Sequence, residues 1–279
     1  MGRQTIEVGQ TGRALGAEIG GVDLAGPLDD ATIAAIRQAL LDHLVIFFRD
    51  QTITPAQHLA FARRFGETAD YPMLKGLEGF PEIVEVVKLE HEEANFGGAW
   101  HSDTAYLDVP PMGSILVARE VPDAGGDTEF ANMYAAYESL SDGMKELIGA
   151  LKAVNSSTNP VAAATRQHRI GEGAKRDPAA EMRATHPVVR THPETGRKAL
   201  YVNPAHTIAI EGMSEAESAP ILGVLYAHQQ RPEIACRFHW TPGAIAFWDN
   251  RAAQHNAIND YHGRKRLMHR VTLAGERPV

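Results

Sequence analysis

Residues 244–275 read AIAFWDNRAAQHNAINDYHGRKRLMHRVTLAG, two β-type runs joined by a polar, turn-rich middle. In the last run strand alternation sets Arg266, Met268 and Arg270 on one face and Leu267, His269 and Val271 on the other. Whichever face looks inward, a charged or titratable group goes with it. If the arginines point in, two guanidinium groups enter a small barrel, where desolvation is costly unless anions meet them. If they point out, His269 is a core histidine with satisfied hydrogen bonds. The first reading, an anion-binding strand, is preferred.

Outward from this segment the same texture continues. From about residue 82 the chain carries short β-branched or aromatic runs, IVEVVKL, SILVAREV, DTEFAN, PVVRTHP, KALYVN and CRFHW, punctuated by Pro, Gly and Asn. That spacing predicts an all-β sandwich or jelly roll. Helices flank it. Residues 29–44 place Ile33, Ile36, Leu40 and Leu44 at helical spacing behind an Asp29 or Asp30 cap and lead into the strand VIFFRD. Thr54, Pro55 and Gln57 start a second helix over about 55–65. One helix is expected over NMYAAYESLSDGMKELIGAL, and another from the Ser214–Glu217 capping box. Residues 158–185 lack a clear period and are a candidate lid.

The 279 residues are expected to form a single domain, and the apolar content of 44% is enough for a sizeable core. The net charge is −8 and the basic residues are scattered, which argues against nucleic acid or an anionic membrane as partner and favours a small molecule. The N-terminal residues lack the apolar core of a signal peptide, and no apolar run has membrane-spanning length, so a cytoplasmic protein is expected. With Cys236 as the sole cysteine, any metal must be held by nitrogen and oxygen.

Three histidines are followed two positions later by a carboxylate: His91 with Glu93, His101 with Asp103, and His192 with Glu194. Chance alone gives about 1.6 such pairs in this composition, so spacing does not choose among them. Context does. The 91 pair reads as a solvated turn, and the 192 pair, in HPETGRK, as an exposed hairpin tip. His101 and Asp103 follow FGGAW, whose glycines permit close backbone approach, and an extended chain would aim both side chains to one side. His255 is a further free imidazole upstream of the final strand, and His206 and His239 remain candidates.

WHSD, GGDTEFAN, WDNRAAQHNAIND and RLMHRVTLAGERP, in this order and with GAEIGGVDL and LVIFFRDQ ahead of them, resemble the taurine dioxygenase/TfdA family of iron(II), 2-oxoglutarate-dependent dioxygenases. The resemblance runs from about residue 5 to the C-terminus. It implies a mainly β fold with flanking α-helices, a double-stranded β-helix or jelly roll. Carried onto this chain, it implies iron ligands His101, Asp103 and His255, a 2-oxoglutarate site at Thr128 and Arg266, and substrate contacts at Arg270 and His206. Two imidazoles and a carboxylate leave three positions on iron(II) for the keto acid and O2. The implied reaction turns 2-oxoglutarate into succinate while hydroxylating, and through hydroxylation cleaving, a small anionic molecule such as a sulfonate, sulfate ester or phenoxyalkanoate. A homo-oligomer, dimer or tetramer, is expected.

The chain also departs from the taurine-acting members. They carry a histidine where ETADYPML stands here and an asparagine where FGGAW stands, Asn95 lies two residues out of register, and His206 replaces a pocket aromatic. Taurine is therefore disfavoured as substrate. The rival readings are a hydrolase built on the same three ligands, and a binding protein that has kept the fold without catalysis. Paired arginines and GGDT speak against the first, and the joint presence of all these groups against the second.

Overall fold

The structure, a computed structural model, describes residues 5–166 and 180–279. Its strands are β1 (Glu7–Gln10), β2 (Ala17–Gly20), β3 (Val45–Phe48), β4 (Thr68–Ala69), β5 (Ile83–Lys88), β6 (Gly113–Glu120), β7 (Thr128–Asn132) and β8 (Lys152–Ser156). They continue as β9 (Arg183–Pro187), β10 (Val189–Thr191), β11 (Lys198–Leu200), β12 (Thr207–Ile210), β13 (Ala235–Phe238), β14 (Ile245–Asp249), β15 (Ala253–Ala257) and β16 (Arg266–Leu273). The helices are α1 (Asp30–His43), α2 (Pro55–Ala62), α3 (Met133–Glu138), α4 (Asp142–Ile148), α5 (Pro160–Arg166) and α6 (Glu215–Gln229).

A large sheet runs in the order β1-β2-β3-β14-β6-β16-β4, with β5 also paired to β16. A smaller sheet, β13-β7-β15, faces it across the interior. The result is a jelly roll.

Burial on both faces explains why the central strands read as unbroken apolar runs. Val45 and Phe47 of β3, Leu116 and Ala118 of β6, and Ala246 and Trp248 of β14 pack between the sheets with Phe130 and Phe238. The alternate residues, Ile46, Phe48, Ile115, Val117, Ile245 and Phe247, pack outward beneath α1 and α2. Phe47 stacks on Phe238 with centroids 3.9 Å apart, joining the sheets at one point. Both helices begin as their caps require: Asp29 accepts the Thr32 amide, and Thr54 and Gln57 form a reciprocal capping box.

Several expectations need correction. The helix expected over 132–151 is two, because Ser141 caps a new one by accepting the Met144 amide. The segment 158–185 opens with α5 and closes into β9, while its residues 167–179 lie outside the described residues. His192, read as part of an exposed hairpin tip, is fully buried. Its Nε2 donates to Asp249 Oδ2 at 3.0 Å, and its Nδ1 accepts the amides of Glu194 and Thr195.

Candidate active site

The site lies between the two sheets, where local backbone chemistry fixes each side chain. His101 and His255 form an isolated antiparallel bridge, exchanging amide hydrogen bonds of 3.0 and 2.9 Å. Gly97, at φ +81°, runs so close that a Cβ there would lie 3.3 Å from the His101 ring, which accounts for one glycine of FGGAW. His101 Nδ1 donates to the Ala99 carbonyl at 2.7 Å, leaving Nε2 with its lone pair toward the cavity. Nε2 of His101 lies 3.8 Å and Nε2 of His255 4.0 Å from Asp103 Oδ1. The three donor atoms all fall within 4.8 Å of one another.

Asp103 is held from every side. Ser114 donates to Oδ2 at 2.8 Å and Asn250 at 3.2 Å, Asn250 Oδ1 accepts the Asp103 amide, and Arg270 Nη1 donates to Oδ1 at 3.1 Å. Burial raises its pKa, but Arg270, the two imidazoles and Ser114 together outweigh that and hold the carboxyl well below the usual range. Burial, with His101 beside it, pushes the His255 imidazole well below its ordinary value. A neutral imidazole and an ionised carboxylate are the protonation states that metal binding requires.

The structure places Arg266 and Arg270 on the inward face of β16, each 4% exposed, and sets His269 on the other face, where Arg119 Nε donates to it. One cavity runs from His101 and His255 past Val86, Leu116 and Trp248 to Thr128 and Arg266. Arg266 Nε and Nη2 are buried without a hydrogen-bond partner among the described residues, and its guanidinium faces the Trp240 ring at 5.6 Å. Burial lowers its pKa. The Thr128 hydroxyl oxygen accepts from the Trp240 indole at 3.0 Å, so its own proton is free to donate.

A second cavity is lined by His101 and Asp103 and shares Phe96, His101 and Arg270 with the first. Tyr71, Phe96, Tyr106, His206, Arg270 and Thr165 are among its walls. Arg270 lies 4.6 Å from the Tyr71 centroid, and its Nε and Nη2 have no hydrogen-bond partner among the described residues. His206 stands edge-on to Tyr106, centroids 4.9 Å apart, and 5.9 Å from His101. His239 is elsewhere, half exposed and bonded to Asp127 at 2.8 Å.

A family model described as "Taurine catabolism dioxygenase TauD, TfdA family" matches residues 7–272. The chain belongs to this family. It is 37% identical to an alpha-ketoglutarate-dependent sulfate ester dioxygenase of Pseudomonas putida, over 98% of this chain and 91% of that protein. It is 36% identical to an alkylsulfatase of Acinetobacter baylyi, over 95% and 84%. Among solved structures, a taurine dioxygenase from Burkholderia xenovorans superposes with a TM-score of 0.84 at 37% identity, covering 98% of this chain and 91% of that one. AAD-2 in complex with Mn(II) and N-oxalylglycine gives 0.81 at 30%, covering 98% and 99%.

Within this TauD/TfdA chain, four contributors escaped the reading of the sequence. Asn250 sits in the quoted WDN, but nothing local marks it as the partner of a residue 147 positions earlier. Ser114 has no distinguishing context. Tyr71 and Phe96 occupy the two stretches where the expected polar residues are missing, which was a signal that the pocket is rebuilt with aromatics there. Asn95 does not compensate: its amide donates to the Ala257 carbonyl, and it lines neither cavity.

Proposed function

We propose that the chain is an iron(II)- and 2-oxoglutarate-dependent dioxygenase acting on a small organic anion, with His101, Asp103 and His255 holding the metal. Thr128 and Arg266 take the distal carboxylate of 2-oxoglutarate, while Arg270 and His206 face the substrate. One observation carries this reading: a single cavity has the two imidazoles of a two-nitrogen, one-oxygen donor set at one end and, at the other, a buried guanidinium that lacks a hydrogen-bond partner on Nε and Nη2 among the described residues. A hydrolase has no use for the second feature.

The donor set suits a divalent transition metal, with two imidazoles and a carboxylate on one side and room on the other. Bound iron(II) would supply the activation of O2. The protein's share is binding and orientation. Arg266 offers a planar fork matched to a carboxylate. Arg270 shares its charge: Nη1 holds Asp103, and Nε and Nη2 remain for an anion at the border of the two cavities. Tyr71, Phe96 and Tyr106 supply an apolar wall for an organic chain. Ala162 and Thr165 of α5 belong to the same wall, which supports a covering role for α5.

A sulfate ester of a small alcohol fits best, supported by the names of the two relatives above. Hydroxylation at the carbon bearing the ester oxygen replaces C–H by C–OH, and the product then breaks into an aldehyde and sulfate. One oxygen of O2 enters the substrate; the other enters succinate as CO2 leaves. Succinate release from the iron-loaded protein, measured across sulfate esters, sulfonates and phenoxy acids, is expected to be largest with a sulfate ester. Release that none of these stimulates would overturn the substrate class. Arg266→Ala is expected to raise the 2-oxoglutarate requirement by about a hundredfold while metal affinity holds, whereas equal loss of both would displace Arg266 from its role.

A further inference from the structure

Lys88 ends β5 and is 2% exposed. Alternation sets it on the same face as Val84 and Val86, and Val86 lines the cavity that ends at Arg266. In the antiparallel register Lys88 stands directly opposite Arg266. Such partners leave the sheet on the same side with Cβ atoms about 5 Å apart.

Its ammonium is buried without a hydrogen-bond partner among the described residues and lies over the face of Tyr261, 4.5 Å from the centroid. Tyr261 packs against the same corner as Arg266, since a Cβ on Gly126 would meet Tyr261 Cδ1 at 3.3 Å and Arg266 Cδ at 3.4 Å. The acids nearby have other work. Asp127 binds Arg237 and His239, and Glu92 accepts the Leu89 amide. Two buried cations side by side, each with N–H groups that lack an acceptor among the described residues, are costly unless the field of an anion offsets their charge.

We infer that Lys88 is a second cation for the distal carboxylate of the keto-acid cosubstrate, reinforcing Arg266 and making the pocket selective for a keto acid that ends in a carboxylate. This rests on the reading given under Proposed function. Lys88 does not itself line the cavity, so it acts through the field around Arg266 and Tyr261, which at this depth water screens little. It is a specificity residue and does not touch the reacting atoms.

The test is anaerobic calorimetry on the Mn(II)-loaded full chain, titrating 2-oxoglutarate and, separately, 2-oxobutyrate, which has the same chelating end and no distal carboxylate. Lys88→Met is expected to weaken 2-oxoglutarate about tenfold or more and leave 2-oxobutyrate and Mn(II) affinity unchanged, with Lys88→Arg restoring most of the loss. Unchanged 2-oxoglutarate affinity in Lys88→Met, or equal loss for both keto acids, would overturn the inference and leave Lys88 as a structural partner of Tyr261. If Lys88→Met does not fold, the same comparison between wild type and Lys88→Gln decides. Wild-type protein that binds neither keto acid would defeat the functional reading itself, and this inference with it.

Discussion

Asp103 is the residue on which the site turns, because its two oxygens serve different masters. Oδ1 faces both imidazoles and Arg270, and Oδ2 is fixed by Ser114 and Asn250. Asn250 is itself locked, its Oδ1 accepting the Trp248 indole at 3.0 Å and the Asp103 amide at 3.2 Å. Partners that orient a ligand matter almost as much as the ligand. Asn250→Ala is therefore expected to weaken divalent-metal affinity by about ten- to a hundredfold with the fold retained, measured by competition with a chelating dye. Unchanged affinity would show that Ser114 and Arg270 suffice. Asp103 was legible in the sequence because WHSD is a local string. Its orienting partners were not, because they are assembled from residues 11, 147 and 167 positions away.

Among the elements, β14 and the turn after it do two tasks: they deliver Asn250 and anchor it through a buried charge cluster. Asp249 accepts from His192 at 3.0 Å and from Arg251 Nε and Nη2 at 2.9 and 2.7 Å, and Arg251 reaches Glu194 at 2.8 Å. Burial alone would raise the Asp249 pKa, but Arg251 and His192 hold it far below the ordinary carboxylate value. Its contribution is thus complete above about pH 4 and is lost as acid drives the pH toward the lower folded value. Asp249→Asn leaves Arg251 short of its partner inside the protein and is expected to cost about 3–5 kcal/mol in chemical denaturation at neutral pH. A cost under about 1 kcal/mol would mean the cluster is dispensable.

α2 carries a second acid-sensitive group. His58 is fully buried with Nε2 against the Ile115 carbonyl at 3.2 Å; burial first, then Arg119 and His269, bring its pKa down from 6.5 to about 3. Below about pH 6.5 the unfolded chain takes up a proton that the folded chain refuses. His58 should then contribute about 1.4 kcal/mol per pH unit to the fall in stability between pH 6 and 4, an increment that His58→Leu removes. A variant that keeps the wild-type slope would place the acid sensitivity elsewhere. Neither burial was visible in the sequence. HPETGRK has the composition of a turn, and His192 is buried only because Asp249, 57 residues on, comes to meet it. The strand β8 was missed for a like reason. Its KAVNS looks polar, but Asn155 is satisfied inside the sheet by Thr207, 52 residues away.

Across the whole molecule, the jelly roll serves the site by burying its large sheet twice. The outward core packs that sheet beneath α1 and α2, and the inward core leaves a channel between β16 and the smaller sheet. That double burial is why so much of the architecture could be read from apolar runs such as VIFF and AIAFW. The cavity could not be read this way, since it is defined by where packing stops. A channel with two imidazoles of a metal-type donor set at one end and a buried cation at the other makes joint binding of metal and keto acid the central claim. Iron(II) and then 2-oxoglutarate, added anaerobically to the folded protein and followed by visible absorption, test it directly. The account predicts the weak charge-transfer band of a chelated keto acid, requiring both additions and lost in Asp103→Ala. Folded wild-type protein that shows no such band would contradict it.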